Sequence, residues 1–445
     1  MIEKQVKEER PLRVAIASDL HLMSSALLKN EGSAFQRVID ADRKLLKESR
    51  AIMDQFIEEM LRLSPDLLLL PGDLTKDGEE LSHLRMAEDL ERLAQAGIRS
   101  CVIPGNHDIN NPHARYYDGD AYLPAAHVSP DRFAEIYRPF GYDPQTLVSR
   151  GPGLSYATEA LPGVWVVGLD SCIYDHNFEN NYPTTEGQLT DDTLEWVKEV
   201  MAQSRALKKQ VLVMTHHNVL EHFPFQSYIA REYVVKDWVR AADRLASAGI
   251  EVIFTGHFHA QNVVGKCFSE GHLYDVETGS IVTYPCPFRM VELYPDRLEI
   301  SSQLLSLSPE QLGGLSLQEY AYRHLEEGIP GLGQYLANYV RLKYPDLLSE
   351  DKANLILSLL PAFRPLIMDI YTGHLAGDAT GLRYQPDPDK VDTQPMSGDL
   401  LQQLKQLAKG INPKYAPLFQ VLEGILHSDT TGDNQLTIPL TVQHG

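Results

Sequence analysis

Short apolar runs alternate with amphipathic stretches along the first 305 residues of this 445-residue chain. The runs Leu12 to Ala17 and Asp66 to Leu70 are almost uninterrupted, which is typical of strands buried on both faces of a sheet. The stretches Ser49 to Leu63 and Glu79 to Ala96 repeat apolar residues at helical spacing and predict helices that cover such a sheet. The alternation therefore predicts an α/β architecture, with α+β layering, for residues 1–305.

Further elements follow from the same two patterns. Apolar or alternating runs predict strands at 98–103, 154–158, 164–169, 210–214 and 250–255, and antiparallel β segments at 273–283 and 288–305. Helical spacing predicts helices at 190–205 and 234–248, the first with Thr190 as its N-cap. Residues 23–47 and 109–150 show neither pattern, and we expect irregular insertions there.

The pattern changes after residue 305, where helical spacing predominates. Helices are predicted at 317–327, 332–344, 349–371 and 400–425, which gives a smaller all-α domain over residues 306–445. We expect this domain either to cap the functional site or to form an oligomer interface. From a cap, His374 and Asp378 would reach the cleft, although a polar helix end is the simpler interpretation of both. The polar residues 428–445 are expected to be poorly ordered or to add one strand.

Composition narrows the class of partner. A net charge of -21 argues against a nucleic-acid-binding surface, which needs clustered basic residues, whereas a metal centre can still attract an anionic substrate. No run is long and apolar enough to span a membrane, residues 1–10 lack a signal-peptide core, and the four cysteines show no metal-binding spacing. We therefore expect a cytoplasmic protein that acts on a small molecule, without nucleic-acid or membrane partners. Homo-oligomers are expected if the helical domain provides the interface.

Five predicted strands end in residues that can bind metal ions. The blocks are Asp19-x-His21, Gly72-Asp73, Gly105-Asn106-His107-Asp108, Thr215-His216-His217 and Gly256-His257-x-His259. Each block alone is well explained as a polar turn, but strand ends of this kind converge at one edge of an α/β sheet. Oxygen and imidazole ligands without thiolates suit Mn, Fe, Zn or Co. The ligands are too many for one ion and suit two, with Asp73 as the natural bridge because it stands alone at its strand end.

In its order and spacing, this set of blocks resembles the calcineurin-like metallophosphoesterases over about residues 12–300. The resemblance implies a β-sandwich flanked by helices, with two metal ions at the carboxyl ends of the strands. The metal ligands it implies are Asp19, His21 and His259 for the first ion, Asn106, His216 and His257 for the second, and Asp73 between them. It further implies that His107 stabilises or protonates the leaving oxygen, with Asp108 as its orienting partner. His216 is preferred to His217 because the family's ligand is the first histidine after the strand.

Within that family, the run Gly72-Asp-Leu-Thr-x-x-Gly78 and the block His216-His217-Asn218 resemble the class III cyclic nucleotide phosphodiesterases. The resemblance implies a phosphodiesterase in which hydroxide held between two ions attacks the phosphorus of a small diester, expected to be a cyclic nucleotide. Lys76 stands where purple acid phosphatases carry a tyrosine, which argues against an iron(III)–tyrosinate centre. Two alternatives stay open. One is a broad phosphomonoesterase or protein phosphatase, and the other is a non-catalytic scaffold, which is disfavoured because such scaffolds lose residues that this chain keeps.

Three residues are candidate substrate contacts. His113 and Arg115 lie in the long loop after Asp108, and His217 follows the ligand candidate His216. Long loops in compact domains are often functional, although a solvated loop explains the first two residues equally well.

Overall fold

The computed structural model describes residues 10–328, 364–365, 367–369, 371–377 and 433–441. The predicted helices at 332–344 and 400–425, most of the one at 349–371, and Asp378 lie outside these residues. No described helix combines the length and the apolar content that crossing a bilayer requires.

The strands of the described residues are β1 (Leu12–Ile16), β2 (Leu28–Asn30), β3 (Leu67–Pro71), β4 (Arg99–Ile103), β5 (Arg115–Asp118), β6 (Ala121–Pro124), β7 (Leu147–Arg150), β8 (Tyr156–Leu161), β9 (Val164–Leu169), β10 (Gln210–Thr215), β11 (Val252–Thr255), β12 (Asn262–Phe268), β13 (Gly271–Glu277), β14 (Pro287–Leu293), β15 (Arg297–Leu304) and β16 (Gln435–Pro439). The α-helices between residues 33 and 247 are α1 (Ser33–Ala41), α2 (Ser49–Leu63), α3 (Glu80–Gln95), α4 (Pro130–Ile136), α5 (Asn177–Asn180), α6 (Asp191–Ala206), α7 (Gln226–Ile229) and α8 (Trp238–Ser247). Residues 317–328 and 371–376 are also helical.

Two sheets form the centre of the fold. The first has the strand order β16-β15-β14-β1-β3-β4, in which β1, β3 and β4 run parallel and β14, β15 and β16 pair antiparallel. The second has the order β12-β13-β11-β10-β9-β8-β7, in which β9, β10, β11 and β13 run parallel. The parallel strands therefore end at a common edge of each sheet, which is where the candidate blocks follow them.

The two sheets pack face to face, and helices cover their outer faces. In the first sheet β3 and β4 contact β10, β8 and β9 of the second. On one side Phe56 of α2 packs edge-on to Phe288 of β14, with ring centroids 6.0 Å apart. On the other side Val197 of α6 and Leu245 of α8 share a buried cluster with Ile253 of β11. The predicted sandwich flanked by helices is therefore confirmed.

The two insertions expected to be irregular contain regular structure. Helix α1 lies within 23–47, the strands β2, β5 and β6 form a small third sheet, and α4 and β7 lie within 109–150. Ala34 and Phe35 of α1 pack with Tyr117 of β5 in a cluster of their own. The strands of the third sheet are only 3 or 4 residues long, which is too short for a periodic pattern to show in the sequence.

Most of the other elements predicted before residue 305 are confirmed to within a few residues. The predicted N-cap is also confirmed, because the Thr190 side chain accepts the Thr193 N–H at the start of α6. Strand β12 was not predicted. The helix predicted at 234–248 begins only at Trp238, because Val234 is extended and bridges Asn218.

The end of the chain belongs to the first sheet. Strand β16 pairs antiparallel with β15, and the fully buried Ile438 lies opposite Leu298. The helical residues Leu317, Leu325 and Leu375 are buried in the same core as the strands of this sheet. These described parts of 306–445 therefore share the core of the first domain, and a separate all-α domain over the other residues stays a prediction.

Replacing Ile438 by alanine tests whether the last strand stabilises the whole fold. Because the side chain is fully buried, its truncation should lower the free energy of unfolding by about 2–5 kcal/mol, measured by chemical denaturation. The matched control is Thr437→Ala, an exposed position of the same strand, where the change should stay within about 0.5 kcal/mol. Equally small effects at both positions would show that β16 is a frayed edge.

Candidate metal centre

The loops that follow β1, β3, β4, β10 and β11 meet at one edge of the two sheets. Backbone hydrogen bonds continue the strand pairing into these loops: the Asp19 N–H donates to Gly72 O at 3.2 Å, and the Gly256 N–H donates to His216 O at 3.0 Å. The side chains of the five predicted blocks are therefore carried by loops that fix one another.

Five residues of these loops have left-handed backbone conformations although none is glycine. The φ angles are 54° at Asp19, 40° at His21, 48° at Asp73, 73° at His257 and 69° at His259. Non-glycine residues adopt such angles rarely and at a cost of about 1–3 kcal/mol each, so the surrounding structure must enforce them. Five of the twelve non-glycine residues with positive φ angles in the described part of the chain are thus predicted ligands.

The first ligand group consists of Asp19, His21 and His259. His259 Nε2 lies 3.1 Å from Asp19 Oδ1 and 3.3 Å from His21 Nε2. Asp19 Oδ1 is buried and accepts no hydrogen bond from the described residues. A carboxylate oxygen and two imidazole nitrogens that face one another in this way fit a cation that accepts all three lone pairs.

The second ligand group consists of Asp73, His216 and His257, with Asn106 beside it. One ligand atom from each of the first three residues lies within 4.8 Å of the others. His216 Nε2 is 3.1 Å from Asn106 Oδ1. An amide oxygen thus joins the carboxylate and the imidazoles, as the sequence predicts.

Asp73 faces both groups. Its Oδ1 accepts the His107 N–H at 2.8 Å, so Oδ2 is left between His21 Nε2 at 3.6 Å and His216 Nε2 at 3.5 Å. A carboxylate in this position fits the bridge between two ions.

Hydrogen bonds on the far side of the rings select the ligating nitrogens. His216 Nδ1 donates to Pro71 O at 2.8 Å, and His257 Nε2 donates to Glu232 O at 3.1 Å. Nε2 of His216 and Nδ1 of His257 are therefore left for a metal, and backbone carbonyls fix the orientation of both rings.

Burial makes the centre depend on positive charge. Although burial acts to raise it, the pKa of Asp73 is held well below its usual value, chiefly by His216 and His107. Burial lowers the pKa of His216, but the facing Asp73 carboxylate outweighs burial and raises it to about 9. The buried carboxylates of Asp19 and Asp73 need compensating cations, and the oxygen and imidazole donors around them fit divalent metal ions.

The close approach of the loops requires glycine at two positions. A Cβ at Gly105 would overlap the backbone nitrogen and the carboxylate of Asp73. A Cβ at Gly256 would overlap Ser18 Oγ and the carboxylate of Asp19. The glycines of these two blocks therefore let the neighbouring ligands keep their places.

His107 approaches the centre from the loop after β4. Its ring lies edge-on to that of His21, with centroids 4.9 Å apart, and its Nδ1 meets Asp77 Oδ1 at 3.1 Å. Burial and Lys44 act to lower the pKa of His107, but the carboxylates of Asp73 and Asp77 raise it above its usual value. Because Asp77 holds Nδ1, Nε2 is the nitrogen available for proton transfer.

The predicted orienting role of Asp108 is wrong. Its Oδ2 accepts the backbone N–H groups of Leu74 at 3.0 Å and Gly105 at 2.9 Å, and its Oδ1 accepts that of Thr75 at 3.0 Å. The carboxylate is thus occupied in tying the loop after β3 to the loop after β4. Asp77 takes the place beside His107 that the sequence analysis gave to Asp108.

Asp77 is held in turn by Lys76. The Lys76 ammonium pairs with the Asp77 carboxylate and lies 3.9 Å from Glu79 Oε1. Burial acts to raise the pKa of Asp77, but Lys76 and His107 together lower it below its usual value. The sequence analysis missed Asp77, because no pattern in the sequence indicates that its side chain reaches His107.

His217 is buried behind the centre. Its Nδ1 lies 2.8 Å from Ser171 Oγ, its Nε2 donates to Thr185 O at 2.9 Å, and its ring centroid is 4.3 Å from that of His257. Both nitrogens are engaged, so the prediction that His217 contacts the substrate is wrong. The geometry agrees with the preference for His216 as the ligand.

The other two candidate substrate contacts lie on the loop after His107. The His113 N–H donates to Asn111 Oδ1, and the Asn111 amide donates to His107 O. The Arg115 guanidinium stacks on the ring of Tyr122, 4.1 Å from its centroid. These contacts fix the loop, and the role of His113 and Arg115 in substrate binding stays a prediction.

The helical residues 371–376 pack against the last ligand block. The ring of His374 lies 5.2 Å from that of Phe258, the residue between the two histidine ligands of that block. The Gln261 N–H donates to Leu375 O at 3.1 Å. His374 therefore packs beside the last ligand block, its reach into the cleft stays a prediction, and Asp378 lies outside the described residues.

The family model named calcineurin-like phosphoesterase matches residues 12–261, which is more than half of the chain. The chain belongs to this family. Membership supports a hydrolase that acts on phosphoesters and a centre with two divalent metal ions, in agreement with the two ligand groups that share Asp73.

Individual relatives are distant. A probable cyclic nucleotide phosphodiesterase of Synechococcus sp. is 25% identical over 217 residues, which is 49% of this chain and 62% of that protein. A dimetal phosphatase from Danio rerio is 14% identical and covers 66% of this chain and 96% of that one, with a TM-score of 0.42. A purple acid phosphatase from yellow lupin is 10% identical and covers 66% of this chain and 51% of that one, with a TM-score of 0.36. The two structural likenesses are too low to carry an argument.

Replacing Asp73 by alanine tests the shared carboxylate. Both ligand groups lose a member, so the variant should lose metal at both positions, measured by elemental analysis after loading with Mn. Asp77→Ala is the matched control, because it removes a partly buried carboxylate outside both groups and should keep two ions per chain. Full occupancy in the Asp73 variant would show that this carboxylate does not bridge.

Proposed function

We propose that this phosphoesterase hydrolyses small phosphodiesters, with cyclic nucleotides as the expected substrates. The observation that carries the proposal is the pair of ligand groups joined by Asp73, with His107 beside them as a proton donor. Two divalent ions bound there would lower the pKa of a water molecule and neutralise charge on the phosphoryl group.

The proton transfer in this reaction falls to His107. Its backbone N–H donates to Asp73 and its ring Nδ1 meets Asp77, so both the backbone and the ring of His107 are held in place. The orientation leaves Nε2 to donate a proton to the ester oxygen that leaves, which is general acid catalysis. Asp77 acts through His107 and is a positioning residue.

Two observations support a small diester over a phosphopeptide. The ligand side chains are buried, with Asp73 only 2% exposed, and the residues at 371–376 close one side of the last ligand block. The distant relative from Synechococcus carries the name of a probable cyclic nucleotide phosphodiesterase. A centre with buried ligands suits a substrate that can enter whole better than a phosphate displayed on a protein surface.

Activity assays after loading with Mn, Fe, Zn or Co separately test this function. We expect kcat/KM for cyclic AMP and for bis(p-nitrophenyl) phosphate to exceed that for p-nitrophenyl phosphate and for a phosphopeptide. Preference for the monoesters would replace the proposal with a broad phosphomonoesterase. If protein that holds two ions per chain hydrolyses none of these esters, the result would indicate a non-catalytic scaffold.

Replacing His107 by alanine should keep both metal ions and lower kcat for a diester by about 10²–10⁴-fold, the usual scale for loss of a general acid. Asp77→Asn should lower kcat by less, because it removes the fixing carboxylate and leaves the imidazole. His176→Ala is the control, since that exposed histidine pairs only with Glu179 among the described residues. Unchanged kcat in the His107 variant would remove this residue from the mechanism.

A further inference from the structure

Residues 42–46, between α1 and α2, lie beside His259 of the first ligand group. The Arg43 guanidinium reaches Phe258 O at 3.4 Å, and Phe258 stands between the two histidines of the last block. The Leu45 N–H donates to Val282 O at 2.7 Å, and the next residue, Thr283, meets His259 Nδ1 at 3.2 Å. This segment, which we call the cationic segment, is thus fixed against the turn that carries His257 and His259.

Residues far along the chain hold the cationic segment in place. The Arg43 guanidinium donates to Tyr371 Oη at 2.6 Å, and His324 Nε2 donates to Asp42 O at 2.9 Å. The Arg43 guanidinium therefore donates these hydrogen bonds to neutral groups of the protein. Its positive charge lies beside the last ligand block and shares the carboxylate of Asp42 with Lys44.

Lys44 is the buried cation of the segment. The residue is only 8% exposed, and its ammonium lies 3.4 Å from Asp42 Oδ2. The single charge of Asp42 interacts with both Lys44 and Arg43, which leaves a surplus of one positive charge in the segment. Lys44 lies between Arg43, which reaches Phe258 O, and Leu45, whose N–H donates to Val282 O, so it belongs to the part of the segment that is held against the turn carrying His257 and His259.

With two divalent ions bound, the positive charge of the centre would exceed the negative charge of the Asp19 and Asp73 carboxylates, and a further positive charge buried beside it is unfavourable in the absence of an anion. A phosphoryl group supplies that anion, and a lysine ammonium binds its oxygens as a point charge. We propose that Lys44 binds a nonbridging oxygen of the substrate's phosphoryl group, and that Asp42 holds the ammonium when no substrate is bound. This inference rests on the proposed hydrolysis of phosphodiesters and adds a substrate-binding residue that the sequence analysis did not single out.

Binding of inorganic phosphate to Mn-loaded protein, measured by calorimetry at constant ionic strength, tests the proposal without turnover. Lys44→Met should weaken phosphate binding by about 10–100-fold, the scale of a charged hydrogen bond. Lys44→Arg should recover most of the loss because it keeps the charge. The matched control is Lys47→Met, since Lys47 is half exposed and pairs with the exposed Glu31. Metal content should stay at two ions per chain in all variants.

Asp42→Asn gives a prediction of opposite sign. It removes the carboxylate that competes for the Lys44 ammonium but keeps an oxygen for the Lys44 N–H, so phosphate should bind more tightly than to the parent protein. A purely structural ion pair predicts no gain. This variant also decides the question if Lys44→Met loses metal or fails to fold, because unchanged or weaker phosphate binding would then overturn the proposal.

The two proposals fail in different ways. Phosphate affinity that is equal in the parent protein and in Lys44→Met, with diester hydrolysis intact, refutes the role of Lys44 and leaves the function standing. Phosphate binding that depends on Lys44, without hydrolysis of any diester, supports the binding role and refutes the function. A parent protein with two ions and no affinity for phosphate refutes the role of Lys44.

Discussion

The structure depends on the burial of two carboxylates among imidazoles whose free nitrogens point at them. Asp19 and Asp73 lie in the interior, and their outward oxygens face His21, His216 and His259 at 3.1–3.9 Å. Such an arrangement is stable only with positive charge at its centre. The residues with positive φ angles, the glycines of the loops and the hydrogen bonds at the strand ends all hold these carboxylate oxygens and imidazole nitrogens close to one another.

The architecture was accessible from the sequence because it depends on local patterns, and the same patterns located the candidate ligands that the structure brings together. Apolar runs located the strands, and polar residues within a few positions of each strand end were the candidate ligands. The backbone conformation of the first block was not accessible, because Asp19 and His21 follow a strand and yet both have positive φ angles, of 54° and 40°. The Asp-x-His spacing does not distinguish this conformation from an extended one.

The supporting contacts were not accessible, because they depend on how loops fold over long sequence separations. Nothing in the spacing tells that Asp77 reaches His107 while Asp108 turns back to the backbone of Leu74 and Thr75. Lys44 lies in a stretch without a pattern and is brought to the centre by partners from distant parts of the chain. Residues of this kind are determined by tertiary packing rather than by their neighbours in sequence.

The pairing of β16 with β15 has a consequence for the order in which the protein matures on the ribosome. Arg289 of β14 is fully buried, and its guanidinium donates to the carbonyl oxygens of Glu277 and Asp433. The seven candidate metal ligands all lie at or before residue 259, yet this guanidinium lacks one of its acceptors until Asp433 has been synthesised. During synthesis the chain therefore carries every candidate ligand well before β16 can pair with β15 in the sheet that supports them.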